Sequence, residues 1–280
     1  MVFWVVAESS REQDKLLVDK LMEFAEQDGL DAKLVYIEEL DISKVTTWPR
    51  VALLRGYSLE LYAALQKNGV YCINNDFCMR SCWDKIATFK LLDKHGIKMP
   101  KTLFFKHAVT YDEMKKELGL PLIVKDRFGG YGNDVYLVNN EAEFEEAAKN
   151  IDVRRIMYQE FIAESRGIDF RFMILGGRII AEFQRTCVND FRSNNVVAGR
   201  VCEKKDFITE EHRAEALKIA ELLKADFVSV DYLVRGTELI FLEANSSLGV
   251  KPFHYDLGYD IPKEVYNYVK TILAKHSTDA

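Results

Sequence analysis

Two apolar segments near the C-terminal end of the chain carry acidic residues among hydrophobic ones. Residues 227–234 and 238–245 alternate as strands do, and the short glycine-containing loop between them predicts a hairpin. Strand parity puts Asp231 on a largely apolar face, and it puts Glu243 and Asn245 together on one face of the second strand. Carboxylates in apolar surroundings cost free energy unless a cation binds them. The chain must therefore fold so that a cation reaches this hairpin.

The register of the hairpin decides whether its acidic residues meet. A three-residue loop sets Val234 opposite Glu238, which makes Asp231 and Glu243 diagonal neighbours on the same face. Asn245 follows two residues further along that face. Carboxylate and amide oxygens suit a hard ion such as Mg²⁺, shared with substrate phosphates. The alternative is an edge hairpin with solvent-facing acids, and a slip of one residue would send Asp231 to the other face.

A lysine and a glycine-rich loop follow another apolar strand. Lys125 comes directly after the apolar residues 121–124, and Gly129 and Gly132 lie in the loop beyond it. A lysine at the end of a buried strand can direct its ammonium at a phosphate, and glycines let backbone N–H groups approach the same anion. The alternative is an ordinary turn that follows a surface lysine.

A third polar cluster follows the strand that ends at Arg185. Residues 190–195 include Asp190, Arg192 and Asn194. Guanidinium and amide donors in this arrangement suit the binding of anionic oxygens. The alternative is a polar loop with an ion-paired arginine at its edge.

The order of the predicted elements indicates an α/β chain with three consecutive lobes. Strands and helices alternate over residues 1–80, which predicts a small parallel sheet whose first helix is capped by Ser10. The second lobe, 81–155, begins with a helix over 82–95, continues with a helix whose capping box is Thr110 with Glu113, and contains two strands joined by the glycine loop. The third lobe, 156–280, contains two hairpins, the first with a two-residue turn at Gly176 and Gly177, and a closing helix.

Charge and composition exclude several classes of protein. The chain has 38 basic and 44 acidic residues, a net charge of −6, so broad electrostatic binding of nucleic acid or of a membrane surface is not expected. No apolar run approaches the roughly 20 residues of a membrane span. The 5 cysteines form no C-x-x-C pair, and the first segment lacks the features of a signal peptide. We therefore expect a cytoplasmic protein with reduced thiols.

Taken in order, these motifs resemble those of the ATP-grasp superfamily, and within it the RimK-like amino-acid ligases. The resemblance extends from about Gly69 to the end of the chain. The matching segments are DK at 84–85 with PKT at 100–102, PLIVK at 121–125 with Gly129 and Gly132, YQEFI at 158–162 with GIDFR at 167–171, Arg185 with DFRSN at 190–194, and Asp231 with EANSSLG at 243–249. The resemblance implies an ATP-grasp fold preceded by a Rossmann-like lobe.

The resemblance implies an ATP site built from the lysine strand, the glycine loop and a hinge segment. Its residues would be Lys85, Lys125, Gly129, Gly132, Glu160, Phe161, Ile162 and Asp169. The lysines would contact the phosphates or the adenine edge, and the glycine loop would cover the phosphates. The hinge backbone would pair with adenine, and the aspartate would hold the ribose hydroxyls.

The resemblance also implies a metal site and a set of groups for the chemical step. The metal ligands for Mg²⁺, or for Mn²⁺ in its place, would be Asp231, Glu243 and Asn245. The groups around the transferred phosphoryl would be Arg185, Arg192 and Asn194. The last two would approach the γ-phosphate, and Arg185 would stabilise an acyl-phosphate and the oxyanion that follows it.

The implied activity is ATP-dependent ligation of a carboxylate to an amine, with an amino acid or a peptide as substrate. The carboxylate would attack the γ-phosphate to give an acyl-phosphate and ADP, and the amine would then displace phosphate. Such a route needs cations and positioning rather than a nucleophilic side chain. Two alternatives stay open: a phosphotransferase of the same fold with a hydroxyl acceptor, and a non-catalytic nucleotide-binding module.

Some features depart from the family pattern or leave the substrate undefined. Asp134 occupies a position of the glycine loop where relatives usually have a further glycine, and 250–255 matches no known substrate-binding segment. Several cations are candidates for recognising an acidic amino acid or a peptide carboxylate: Arg55, Arg171, Arg200, Lys251 and His254. A homo-oligomer is expected only by analogy with such families.

Overall fold

The computed structural model describes residues 2–130, 132–193, 201–203, 208–250, 254 and 258–275. Three β-sheets lie within these ranges, and helices pack on each of them. The helices described are α1 (Lys15–Gln27), α2 (Leu59–Lys67), α3 (Asp76–Trp83), α4 (Lys85–Asp93), α5 (Tyr111–Leu118), α6 (Glu141–Asn150), α7 (Glu210–Leu222) and α8 (Ile261–Lys275). In the described part of the chain, none of these helices is long and apolar enough to cross a membrane.

The first sheet is parallel throughout, as predicted. Its strands are β1 (Val2–Ala7), β2 (Asp31–Tyr36), β3 (Val51–Leu54) and β4 (Tyr71–Ile73), in the order β2-β1-β3-β4. The short strand β4 was not predicted. Because the strands are parallel, the segments that follow β1 and β3 lie at the same edge of the sheet, which is the edge where α/β proteins bind ligands.

The second sheet is antiparallel and carries the glycine loop. Its strands are β5 (Thr102–Phe104), β6 (Leu122–Asp126), β7 (Val135–Val138) and β8 (Ile156–Glu160), in the order β5-β8-β6-β7. β8 pairs with β5 and β6, although the predicted boundary at 155 assigned it to the third lobe. Long-range pairing of this kind leaves no mark in the local sequence. The three-lobe division stays a proposal, with its second boundary moved beyond Glu160.

The third sheet is also antiparallel and contains both predicted hairpins. Its strands are β9 (Ile168–Leu175), β10 (Arg178–Thr186), β11 (Val201–Glu203), β12 (Phe227–Arg235) and β13 (Glu238–Asn245), in the order β11-β10-β9-β12-β13. The turn at Gly176–Gly177 has positive φ at both positions, 56° and 73°, as the predicted two-residue turn requires.

The third sheet lies at the centre of the molecule, with apolar layers on both faces. Phe183 and Leu175 pack in a cluster that also contains residues of α1, α8 and the first sheet. Phe172 and Phe241 belong to the opposite cluster, together with residues of α4 and α7. Side chains of successive residues in a strand point to opposite faces, which explains why these strands read as nearly continuous apolar runs.

Two helix predictions were wrong in detail. Ser10 does not cap the first helix, because a 3-10 turn at Glu12–Asp14 precedes α1, which begins at Lys15. The helix predicted over 82–95 is split, because Asp84 leaves the helical conformation between α3 and α4. Its side chain accepts a hydrogen bond from the backbone N–H of Ile86 and thereby caps α4.

Candidate active site

A cleft of about 930 Å³ has walls from elements of all three sheets and the segments that follow them. Its lining includes most of the residues that the sequence singled out: Lys85, Lys125, Gly129, Gly132, Glu160, Phe161, Ile162, Asp169, Arg185, Arg192, Glu243 and Asn245. Asp231 lies behind this wall and is fully buried. Asn194, Arg200 and Lys251 lie outside the described residues. The fold therefore brings residues that are far apart in sequence to one cavity, of a size typical for nucleotide and substrate sites.

The hairpin register differs from the predicted one. Arg235 pairs with Glu238 across a two-residue turn, so Val234 does not face Glu238. A β-bulge then adds one residue, Leu242, to β13. As a result Asp231 lies directly opposite Glu243 rather than diagonal to it.

A second bulge acts in the same way in the other hairpin. Ile180 is an extra residue on β10, and beyond it Arg185 lies opposite Asp169. Without that residue Asp169 would face Gln184. Bulges are frequent beside active sites because they redirect a side chain. In this sheet each bulge brings a charged side chain opposite another.

Four buried charges form a compact cluster across β9, β10 and β12. The Nε of Arg171 donates to Oδ1 of Asp231 at 2.7 Å, and Arg185 donates to Oδ2 of Asp231 at 2.9 Å. Arg185 also holds both oxygens of Asp169 through a forked pair. All four side chains are buried, and the cluster as a whole is neutral. Such a cluster stays charged because each member has an opposite charge beside it.

The cluster shifts the acid–base properties of its members. Burial raises the pKa of Asp231, but the charges of Arg171 and Arg185 outweigh it and hold that pKa below its ordinary value. Burial lowers the pKa of Arg185, but the neighbouring Asp169 and Asp231 outweigh it and raise that pKa above its ordinary value. Both groups are therefore ionised at neutral pH. The ribose role of Asp169 stays a prediction, since both its oxygens accept from Arg185.

The donor set at the end of β13 fits Mg²⁺. The Nδ2 of Asn245 donates to Oε1 of Glu243 at 3.0 Å, which orients the two side chains together and uses the amide nitrogen rather than its oxygen. The cleft wall thus offers the Glu243 carboxylate and the Asn245 amide oxygen, both of the kind that Mg²⁺ prefers. Asp231 lies opposite Glu243, but it is fully buried and both its oxygens accept from Arg171 and Arg185, so its role as a metal ligand stays a prediction. No group of three or more His, Cys, Asp or Glu side chains within the described ranges could hold a metal. A softer metal would lack ligands here.

The two predicted phosphate-binding lysines lie close to each other on the cleft wall. Lys125 is buried, and its Nζ donates to Oε1 of Gln159 at 3.0 Å. Burial and the nearby Lys85 lower the pKa of Lys125 to about 8, against the opposing effect of Glu243. Lys85 donates to the carbonyl oxygen of Gly129 and so connects the start of α4 to the glycine loop.

The glycine loop is held from outside by Arg192. This arginine was predicted to approach a phosphate; in the structure it donates to the carbonyl oxygen of Gly132 at 2.6 Å and pairs with Asp190. A Cβ atom at Gly129 would lie 3.3 Å from Asp126, so the loop packs tightly there. Asp134 has a positive φ of 53°, a conformation that favours glycine.

The hinge segment follows β8 at one end of the cleft. The Glu160 carboxylate accepts from the backbone N–H of Lys101 at 2.7 Å and pairs with Arg235 at 2.7 Å. Phe161 contacts Phe191 edge-on, with ring centroids 6.4 Å apart, and Ile162 is buried. The segment thus presents an apolar slot next to fixed backbone groups, and its pairing with adenine stays a prediction.

The loop after Asn245 is attached to the first lobe. Arg55 is fully buried, pairs with Asp14 and donates to the carbonyl oxygen of Leu248. Arg11 donates to the carbonyl oxygen of Ser247 at 3.1 Å. The proposal that Arg55 recognises an acidic substrate was wrong, because its charge is used inside the protein. Arg171 lines the cleft while it pairs with Asp231, so its role in substrate recognition stays a prediction.

Replacing Arg55 with methionine should lower the free energy of unfolding by about 3–5 kcal/mol, because it leaves Asp14 buried without its main cation. Denaturant unfolding measures this loss. The control is Arg80→Met, which removes an exposed ion pair with Asp76 and should cost about 0–1 kcal/mol. Equal losses in the two variants would show that the buried pair has no special role.

Sequence reasoning missed an aromatic wall at the mouth of the cleft. Trp83 is 59% exposed, and its ring centroid lies 4.9 Å from that of Phe128 and 6.3 Å from that of Tyr57. These rings come from the end of α3, the glycine loop and the segment after β3. No periodicity connects the three positions, so only the fold could bring them together.

The fold and the cleft define an ATP-grasp enzyme. The solved D-alanine–D-alanine ligase of Bacillus anthracis is similar over 100% of this chain and 99% of that one, with a TM-score of 0.77 and 18% identity, which shows a shared fold. The family model described as RimK-like ATP-grasp domain matches residues 82–269. The chain belongs to this RimK-like ATP-grasp family and is an ATP-dependent carboxylate–amine ligase.

Two relatives extend the comparison. A Maridesulfovibrio salexigens protein named "Probable alpha-L-glutamate ligase" is 31% identical over 229 residues, which cover 79% of this chain and 75% of that one. Human N-acetylaspartylglutamate synthase A is 26% identical over 254 residues, which cover 86% of this chain and 64% of that one.

Proposed function

We propose that this ligase joins the amino group of L-glutamate to the carboxylate of a second substrate, an amino acid derivative or a peptide, through an acyl-phosphate. The observation that carries the proposal is the convergence in one cleft of the two lysines, of Arg185 and Arg192, and of the oxygen-donor hairpin. Both relatives carry glutamate in their names, which supports glutamate as a substrate here.

The proposed metal site consists of Asp231, Glu243 and Asn245, whose oxygens would hold Mg²⁺. A bound Mg²⁺ would neutralise phosphate charge and favour phosphoryl transfer. The Asn245–Glu243 hydrogen bond keeps two of the ligands together before any ion binds. Asp231 would have to exchange a contact with Arg171 or Arg185 for the ion, because both its oxygens accept from these two side chains.

The protein's own cations account for the rest of the proposed chemistry. Lys85 and Lys125 would bind the phosphates, and Lys85 would bring the glycine loop with it through Gly129. Arg185 would stabilise negative charge on the acyl-phosphate and on the tetrahedral oxyanion after it. Because a substrate carboxylate is the nucleophile in the first step and an amine in the second, no side-chain nucleophile is needed.

Oxygen labelling tests the proposed route directly. With ¹⁸O in the carboxylate of the acid substrate, the acyl-phosphate route transfers one labelled oxygen to phosphate. A screen of acids, beginning with N-acetyl-L-aspartate and short peptides, for ADP release stimulated by L-glutamate would identify the substrate pair. Unlabelled phosphate during turnover would contradict the route, and ADP release that needs no amine would favour a phosphotransferase.

We expect ATP affinity to weaken as the pH rises above about 8, because the pKa of Lys125 in the free protein is about 8. Bound phosphates stabilise the ammonium, so binding is strongest where it is already protonated and requires proton uptake at higher pH. Titrations of ATP from pH 7 to 10 measure the effect. Adenosine, which lacks phosphates, is the matched control, and an identical pH dependence for both ligands would contradict the assignment of Lys125.

The proposal also covers the location of the enzyme, its metal and its oligomeric state. We propose a cytoplasmic location, supported by the unbridged thiols of Cys72, Cys78 and Cys82. Mn²⁺ as a substitute for Mg²⁺ and a homo-oligomeric state stay predictions. Metal substitution in the ADP-release assay tests the first, and sedimentation of the purified chain tests the second.

A further inference from the structure

We propose that Glu8 binds the ammonium group of the amine substrate and so selects amino acids with a free α-amino group. This inference rests on the proposed function and deepens it. Glu8 follows β1 directly and lines the cleft at the carboxyl edge of the first sheet. Sequence patterns did not single it out, although its place after a parallel strand was a usable signal.

The absence of a side chain at Gly56 leaves space for the side chain of Glu8. A Cβ atom at Gly56 would lie 2.6 Å from Oε1 of Glu8 and 2.7 Å from Cδ1 of Ile37. A side chain at position 56 would therefore displace the ends of the Glu8 and Ile37 side chains from their present positions. The Glu8 carboxylate thus lies directly against the backbone of Gly56, which follows the fully buried Arg55.

The cleft wall has four carboxylates besides Glu8, and three of them already have polar partners. Asp169 is paired with Arg185, Glu160 with Arg235, and Glu243 accepts from Asn245. Glu8 is half-buried, yet among the described residues no side chain forms an ion pair or hydrogen bond with its carboxylate. A half-buried carboxylate without a cation nearby is stabilised when a substrate brings a cationic group to it.

The surroundings of Glu8 connect it to the proposed reaction centre. Arg11, three residues further along the chain, donates to the carbonyl oxygen of Ser247. Ser247 is two residues beyond Asn245, so the loop that begins at Glu8 adjoins the end of the oxygen-donor hairpin. An ammonium held by Glu8 would thus belong to a substrate that enters beside the phosphates. An amine substrate is protonated when it enters and needs an anionic group to bind it.

The test compares Glu8→Gln with Glu12→Gln, an exposed glutamate of the same segment that does not line the cleft. With L-glutamate as the amine, Glu8→Gln should raise KM for L-glutamate by about 10- to 100-fold. This range corresponds to the loss of one hydrogen bond between charged groups. Glu12→Gln should leave KM unchanged. Gly56→Ala should also raise KM, because it displaces the carboxylate without removing it.

Hydroxylamine separates amine binding from the first chemical step, since it is largely uncharged at neutral pH and traps acyl-phosphates. With N-acetyl-L-aspartate as the acid, Glu8→Gln should form hydroxamate at the wild-type rate. An unchanged KM for L-glutamate in Glu8→Gln, or an equal loss of hydroxamate formation, would overturn the assignment of Glu8. Absence of hydroxamate with the wild-type chain would instead count against the proposed route with this acid.

Calorimetry in the presence of Mg²⁺ and ADP tests the subsite without turnover. The wild-type chain should bind L-glutamate more tightly than N-acetyl-L-glutamate, which lacks the ammonium, and Glu8→Gln should bind the two equally. Equal binding by the wild-type chain, or a preference that survives in Glu8→Gln, would refute the role of Glu8 even if the ligase activity is established.

Discussion

Replacing Glu243 with glutamine should lower kcat for ATP-dependent amide formation by about 1000-fold, or about 4 kcal/mol of transition-state stabilisation. The substitution keeps the size of the side chain and its hydrogen bond with Asn245 but removes one of the two carboxylates of the proposed metal site. We therefore expect the Mg²⁺ concentration needed for half-maximal activity to rise as well. ADP release measured across a Mg²⁺ titration checks both effects.

The matched control for this prediction is Glu238→Gln on the same strand. Glu238 is 51% exposed and pairs with Lys98 at the surface, so its replacement should leave kcat and the Mg²⁺ requirement unchanged. Product formation by Glu243→Gln at the wild-type rate would contradict the assignment of the metal site. A loss without any change in the Mg²⁺ requirement would indicate that Glu243 acts on a substrate instead.

Replacing Arg185 with methionine should abolish measurable activity and lower the free energy of unfolding by about 3–5 kcal/mol. Asp231 would keep Arg171, but Asp169 would be left buried without its guanidinium. The proposed stabilisation of the oxyanion would also be lost, a change of about 100- to 1000-fold in kcat by itself. Unfolding curves and ADP-release assays measure the two losses separately.

A double variant separates these two roles of Arg185. Asp169→Asn in combination with Arg185→Met removes the stranded charge, so it should recover much of the stability and none of the activity. The control is Arg178→Met on β10, the strand that also carries Arg185. It removes an exposed ion pair with Glu264 of α8 and should alter neither stability nor activity. Recovery of activity together with stability would show that Arg185 has only a structural role.

Local features of the fold could be predicted from the sequence because they depend on neighbouring residues. The capping box of Thr110 and Glu113 begins α5 as expected, and Gly176–Gly177 forms the expected turn. The alternating pattern of residues 227–245 likewise predicted the hairpin that carries Asp231 and Glu243 on adjacent strands, although not its register. Each of these features is decided within a few residues of the chain, where propensity and hydrogen bonding act directly.

The exact partners in the site could not be predicted, because they depend on single inserted residues and on distant elements. Nothing in the sequence marks Ile180 or Leu242 as a bulge, yet each shifts the register by one. The Arg171–Asp231 pair depends on β9 and β12 lying next to each other, which only the tertiary fold decides. The sequence could therefore indicate residues that line the cleft, but not the partners of single arginines.

The hydrogen bond from Arg55 to the carbonyl oxygen of Leu248 limits which segments relatives of this enzyme can exchange. A recombined chain that takes residues 1–80 from one relative and the rest from another keeps Asp14 and Arg55 together, but it must also inherit a 246–249 loop that presents the carbonyl oxygen of Leu248 to Arg55. A loop with a different path would leave the buried guanidinium without one of its acceptors. New substrate preferences should thus arise by substitutions on the cleft wall more readily than by shuffling of whole lobes.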